Sequence, residues 1–217
     1  MKPLADCRLY TFVDMAYLHG RAPEIVAQQL CDDGSDLIQL RAKNSSLEEI
    51  RQMAEKILPI TKRANIGLVI NDHLEIAREL GAEFCHLGQE DFFDAGYKNV
   101  SELKTQNLKL QIGLSTHSPE QAQRALAANA DYIAIGPIYA TGTKPTAKPV
   151  TLEYVRWAAA NVTIPWFAIG GINLQNLDDV LAAGAQRVCV VSAILNTPDV
   201  AKACAEFRKN LNDQSKM

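Results

Sequence analysis

Eight short apolar runs, each followed by a stretch of helical period, organise the 217-residue chain. Runs rich in Val, Ile, Leu and Phe read as strands, and the segments with a 3.6-residue period between them read as helices. Strands are expected at Arg8–Val13, Leu37–Leu40, Gly67–Ile70, Phe84–Leu87, Leu110–Leu114, Tyr132–Ile135, Pro165–Ile169 and Arg187–Val191. The helices that follow them are expected at Ala22–Cys31, Ser46–Arg63, His73–Leu80, Val100–Gln106, Pro119–Ala127, Thr151–Ala160, Leu174–Ala182 and Asp199–Leu211. Polar and apolar residues hardly alternate along the runs, which is the pattern of parallel strands covered on both faces. Eight such units in a chain too short for two ordinary domains and a linker imply an α/β fold: a single-domain (β/α)8 TIM barrel over residues 1–217, with a polar tail at 210–217 expected to fray. A doubly wound open sheet is the alternative, but no GxGxxG follows any strand and no Walker A loop is present.

Local signals agree with this division. Ser45 or Ser46 followed by glutamates, Ser118-Pro119-Glu120, and Asn173 before a leucine read as helix starts. Gly81, Asn129 and Gly184 stand where three helices must stop before the next strand, in the manner of left-handed caps. Two connections on the strand-exit side, Gln89–Asn99 and Tyr139–Val150, are long enough to carry function rather than only join elements.

Several functions are excluded by composition. A net charge of −3, from 22 basic and 25 acidic residues mixed along the chain, offers no basic stripe for nucleic acid. No apolar run is long enough to cross a bilayer, so no membrane partner is expected and the location is expected to be cytoplasmic. Five cysteines, Cys7, Cys31, Cys85, Cys189 and Cys204, are scattered without a CxxC pair and read as core residues rather than a disulfide framework. The sequence leaves a homodimer open.

In a barrel of this kind chemistry gathers at the carboxyl ends of the strands, and those positions are polar here. Arg41, Lys43 and Lys144 leave different strands yet converge on the mouth, where three cations repel one another unless an anion, such as a phosphorylated ligand, lies between them. Taken singly, each lysine would pass for a solvated surface residue. Asp72 and Asp91 follow adjacent strands and could share a magnesium ion completed by water and phosphate oxygens, although Asp72 alone would read as a helix cap. Gly170 and Gly171 after the seventh strand, with Ser192 after the eighth, suit a monophosphate bound by backbone amides. His117 reads equally well as an acid or base and as a structural residue, whereas His86, ending a buried strand, reads as structural.

These segments together resemble the thiamine-phosphate synthase family, over nearly the whole chain from Leu9 to Ala205. The residues that carry the resemblance are Gln39-Leu40-Arg41-Ala42-Lys43, Asn71-Asp72, His86-Leu87-Gly88-Gln89-Glu90-Asp91, Gly113-Leu114-Ser115-Thr116-His117, Gly136-Pro137-Ile138, Thr141-Gly142-Thr143-Lys144, Ala168-Ile169-Gly170-Gly171-Ile172 and Val191-Ser192-Ala193-Ile194. The resemblance implies a transferase that joins 4-amino-5-hydroxymethyl-2-methylpyrimidine diphosphate to a thiazole phosphate, forming thiamine phosphate and releasing pyrophosphate. It implies that Asp72 and Asp91 hold Mg2+, that Arg41, Lys43, Asn71, Ser115 and Lys144 grip the diphosphate, and that Gln39 meets the pyrimidine. Of these, Lys144, Arg41, Lys43 and Ser115 are the expected catalytic groups. Thr141 and Thr143 are implied at the thiazole, and Gly171, Val191 and Ser192 at its phosphate. One departure lies in the first strand, which reads Val13-Asp14 where the family more often has a threonine before the aspartate. Two rivals remain: a thiazole tautomerase of the same family, using His117 as its acid or base, and a non-catalytic barrel that binds a phosphorylated ligand. Retention of Gln39, Lys43, Asp72 and Asp91 favours the synthase over both.

Overall fold

The computed structural model describes residues 1–104, 109–142 and 148–213. Its strands are β1 (Leu9–Asp14), β2 (Leu37–Arg41), β3 (Gly67–Asn71), β4 (Phe84–Gly88), β5 (Gln111–Thr116), β6 (Tyr132–Ile135), β7 (Trp166–Ile169) and β8 (Val188–Cys189). They pair in sequence order, all parallel, and β8 returns to β1 to close the barrel. Around them lie α1 (Pro23–Asp32), α2 (Leu47–Ala64), α3 (Leu74–Leu80), α4 (Gln89–Asp94), α5 (Pro119–Ala127), α6 (Thr151–Asn161), α7 (Leu177–Ala182), α8 (Ser192–Leu195) and α9 (Val200–Asp213). The barrel read from the eightfold pattern is the observed fold. Among the described residues no helix is long and apolar enough to cross a membrane.

The ends of these elements follow from their residues. Ser46 opens α2 with a capping box, its hydroxyl accepting from the Glu49 amide while the Glu49 carboxylate accepts from the Ser46 amide. Asn65 closes the same helix in the left-handed region at φ 61°, and Gly81 does so for α3 at φ 65°. Asn173 caps only a turn, accepting from the amides of Gln175 and Asn176, so α7 begins at Leu177 instead of Leu174. The segment Gln89–Asn99, expected as a loop, holds α4, and the helix expected at Val100–Gln106 is a 3-10 turn at Val100–Leu103 with residues 105–108 outside those described. Regular pairing in the last strand is shorter than expected because only Val188 and Cys189 find ladder partners on both sides. The fraying expected from residue 210 does not begin there: α9 runs to Asp213 with Leu211 fully buried, and only 214–217 lie outside the described residues.

Large aromatic side chains close the barrel interior. Tyr10 and Tyr132 both set their rings edge-on to Phe167, at 5.3 and 5.9 Å between centroids, and Phe84 sits edge-on to Tyr132 at 6.2 Å. A glycine makes room for them: a Cβ at Gly113 would stand 2.1 Å from the Tyr132 ring. At the opposite end from the strand exits, the buried Asp36 carboxylate accepts from the amides of Arg8 and Leu9 and pairs with Lys2 and Arg208. Burial alone would raise its pKa, but the bonds from Lys2, Arg8 and Leu9 and the charge of Arg208 outweigh burial and hold it below the usual carboxylate value.

Candidate active site

A cavity opens at the carboxyl ends of the strands, on the aromatic floor. Every site residue expected from the sequence that lies among the described residues lines it: Gln39, Arg41 and Lys43 from the end of β2, Asn71 and Asp72 from β3, Asp91 from α4, Ser115 from β5, Thr141 beyond β6, Gly171 beyond β7, and Val191 with Ser192 beyond β8. Thr143 and Lys144 lie outside the described residues.

On the β2–β4 side the polar groups are joined in a chain. The Tyr10 hydroxyl donates to Gln39 Oε1, Gln39 Nε2 donates to Asn71 Oδ1 at 2.9 Å, and Asn71 Nδ2 donates to Asp72 Oδ2 at 2.6 Å. Lys43 Nζ stands 3.4 Å from the same carboxylate oxygen. Arg41 is not a bare cation: its Nη1 pairs at 2.8 Å with Asp14, which is 1% exposed and sits across the β1–β2 register from it. The mutual repulsion expected of Arg41, Lys43 and Lys144 is therefore already relieved within the protein for the two cations described, and the case for an anionic ligand rests on the rest of the cavity. Asp14 directly follows the first strand expected from the sequence and ends the observed one, but its partner lies 27 residues away, which no local pattern exposes.

Asp72 and Asp91 do share one cavity, as their adjacent strands require. Asp72 takes a left-handed backbone at φ 63°, rare outside glycine and tolerated best by Asn and Asp, with its amide donating to the His86 carbonyl at 2.9 Å. The residue thus turns off the end of β3 before α3 starts at Leu74; His73 and not Asp72 stands at the N-cap, and it makes no side-chain cap bond. Asp91 sits in the first turn of α4, a helix anchored by buried Phe92 and by Phe93 under the Arg124 guanidinium at 3.6 Å. Its carboxylate folds back over Gly88, where a Cβ would come within 2.4 Å of Oδ2, so a larger residue at that helix start would move the Asp91 carboxylate. Among the described residues no three His, Cys, Asp or Glu side chains gather to hold a metal. Two carboxylates with hard oxygen donors do fit magnesium, which keeps most of its shell for water and phosphate oxygens.

Across the barrel, four strands from β3 and β4, the β7 and β8 exits present backbone. Gly170 and Gly171 have φ of 102° and 66°, and a Cβ on either would run into the segment after β6: 2.4 Å from Pro137 Cβ for the first, 2.7 Å from the Ala140 oxygen for the second. The helix expected from Leu174 begins at Leu177, and across from the glycines the first turn of α8 leaves the amides of Ser192 and Ala193 without an acceptor within the helix. His117 is held by its Nδ1 on the Gly136 carbonyl and by its amide on Gln121 Oε1 at 2.7 Å. His86 is 8% exposed and its Nδ1 lies 3.2 Å from the Tyr132 hydroxyl, in keeping with a structural role. Tyr10, Glu90 and Pro137 also line the cavity and carry no role in the sequence reading. For Tyr10 the only sequence signal is its place on an inward-facing position of β1, which register and not composition reveals.

Residues 9–194 match the family model described as thiamine monophosphate synthase. A thiamine-phosphate synthase of Lawsonia intracellularis is 40% identical over 206 residues, 94% of this chain and 92% of the relative. Another, of Acidothermus cellulolyticus, is 42% identical over 210 residues, 96% of each chain. Among solved structures, a thiamine phosphate pyrophosphorylase from Pyrococcus furiosus superposes with a TM-score of 0.85 at 28% identity, covering 97% of this chain and 98% of that one. The chain therefore belongs to the thiamine monophosphate synthase family.

Proposed function

We propose that this protein is a transferase that joins 4-amino-5-hydroxymethyl-2-methylpyrimidine diphosphate to a thiazole phosphate, releasing pyrophosphate and forming thiamine phosphate. The observation that carries the reading is the division of the mouth: carboxylates, Lys43 and the Gln39–Asn71 pair at β2–β4 face a backbone-amide wall of Gly170, Gly171 and Ser192 at β7–β8. A ligand pair with a diphosphate at one end and a monophosphate at the other fits that division, with the two rings meeting over the aromatic floor.

In the reaction the bond from the pyrimidine methylene to the diphosphate oxygen breaks and a bond from that carbon to the thiazole nitrogen forms. No proton has to be removed, because the nitrogen attacks with its own lone pair and the leaving electrons stay on pyrophosphate. The side chains therefore act by orienting the two rings and stabilising charge as it develops on the leaving group. Lys43 and Ser115 stand at the diphosphate end; Arg41, oriented by Asp14, presents its remaining N–H donors to the same end. Lys144 is assigned there too on the strength of the family resemblance. Asp72 and Asp91 would hold magnesium, which would supply positive charge against the diphosphate. Thr141 meets the thiazole, and the amides of Gly171 and Ser192, beside Val191, take its phosphate. The same chemistry explains why no nucleophile and base pair is needed at the mouth.

The test is to mix purified protein with both substrates and magnesium and to follow thiamine phosphate, then repeat the reaction with a chelator. Product that forms and then stops on chelation supports both the reaction and the metal. Absence of product with both substrates present overturns the reading.

A further inference from the structure

The hydrogen-bond chain on the β2–β3 side has a fixed direction. A Gln39 carbonyl oxygen can only accept, so the Tyr10 hydroxyl must donate its single proton to it. Gln39 Nε2 then faces Asn71 Oδ1, which also can only accept, and this leaves Asn71 Nδ2 to donate to the Asp72 carboxylate. Turning Asn71 over would set its oxygen against the Asp72 carboxylate and its N–H against that of Gln39, and turning Gln39 over would set its oxygen against Asn71 Oδ1; the accept-only carboxylate thus fixes the order, and in that order the Tyr10 hydroxyl is the donor to Gln39 Oε1. Behind Tyr10 the Tyr132 hydroxyl lies 3.4 Å away and is itself 3.2 Å from His86 Nδ1, so the tyrosine has a second polar neighbour at the buried floor of the cavity. Burial pushes both phenols well above their usual pKa, and Tyr10 keeps its proton throughout the working range. Its ring cannot move aside, because it stacks on Phe12 at 5.3 Å and meets Phe167 edge-on.

We propose that Tyr10 is a positioning residue, whose hydroxyl holds the Gln39 carbonyl so that the amide, ordered from the Asp72 end of the chain, offers an N–H to a ring nitrogen in the cavity, and which steadies Asp72 through Asn71. One phenol in the barrel floor thus orients both the group that reads the pyrimidine and a group at its diphosphate end. The inference rests on the functional reading above in naming the ring as a pyrimidine; the relay itself rests on the geometry alone.

Tyr10→Phe tests it, because the ring and its packing remain and only the hydroxyl is lost. Gln39, 3% exposed, is then left with an unsatisfied carbonyl and is held at its nitrogen end alone, by Asn71. The KM for the pyrimidine diphosphate is expected to rise about tenfold or more, with the KM for the thiazole phosphate within about twofold of wild type. Independently of turnover, the Gln39 and Asn71 side-chain amide protons, followed by NMR, are expected to exchange with solvent at least about tenfold faster in the variant. Unchanged amide exchange, or equal rises in both KM values, overturns the relay. A wild-type protein that makes no thiamine phosphate overturns the functional reading instead, while the exchange measurement still decides the relay. Should Tyr10→Phe not fold, Tyr132→Phe removes the hydroxyl behind it; the same amides are expected to exchange faster, and exchange at the wild-type rate overturns the proposal.

Discussion

Replacing Gly171 with alanine addresses the amide wall directly, and the structure sets the size of the effect. At φ 66° an L side chain is strained by roughly 1–2 kcal/mol. The added Cβ would also stand 2.7 Å from both the Ala140 oxygen and Tyr139 Cβ and 3.2 Å from the Tyr139 carbonyl carbon. Two of these three atoms are backbone, so the segment after β6 or the glycine turn itself has to shift, at a further cost of about 1–3 kcal/mol. At about 2–4 °C per kcal/mol for a chain of this size, the melting point should fall by about 5–15 °C. The shift displaces the amides that are proposed to hold the thiazole phosphate, and a displacement near 1 Å costs about a hundredfold. Steady-state kinetics with each substrate varied in turn should therefore show kcat/KM for the thiazole phosphate lowered by about ten- to a hundredfold, and KM for the pyrimidine diphosphate little changed. A variant that melts with wild type, or that loses both substrates equally, would refute the assignment of this turn.

Other outcomes are open to measurement. Asp36→Asn removes the charge that Lys2 and Arg208 share and should cost about 2–3 kcal/mol in urea unfolding near neutral pH, less than a fully enclosed pair because both cations are partly exposed. Since the folded Asp36 pKa is depressed, its contribution is full above the unfolded value of about 3.9 and disappears as pH falls through the lower folded value; the gap between wild type and variant should therefore close in acid, and a gap that widens below pH 4 would contradict the sign. Asp72→Asn tolerates the left-handed backbone at φ 63° and so should melt near wild type while turnover falls by more than about tenfold and the magnesium requirement rises; wild-type magnesium dependence would remove Asp72 from the metal site. His117→Ala should leave synthase turnover within about fivefold, because the proposed displacement needs no base; a loss equal to that of Asp72→Asn would favour the tautomerase.

The barrel was legible in the sequence because parallel strands buried on both faces leave unbroken apolar runs, and each βα unit repeats the signal. The strand-exit positions then located Gln39, Lys43, Asp72 and Ser192 before any coordinates. Helix α4 was missed since its six residues are too few to establish a period, and the acidic first turn that announces it, Glu90-Asp91, also reads as a loop. Long-range pairing was equally hidden. The Arg41–Asp14 bond, the turn of Asp72 into the left-handed region and the Tyr10–Gln39 contact all depend on which residue of one strand stands beside which residue of the next. Apolar periodicity constrains that register only weakly for strands buried on both sides, where a slip exposes nothing.

The rings of Tyr10, Tyr132 and Phe167 have a consequence for traffic. They fill the interior, and the hollows at the far end, around Arg8 and Arg187, share no wall with the mouth. Among the described residues no passage leads down the barrel axis. Under the proposed reaction both products must depart from the face by which both reactants came, so each should compete with an incoming molecule, and whichever leaves last sets when the next pair can enter.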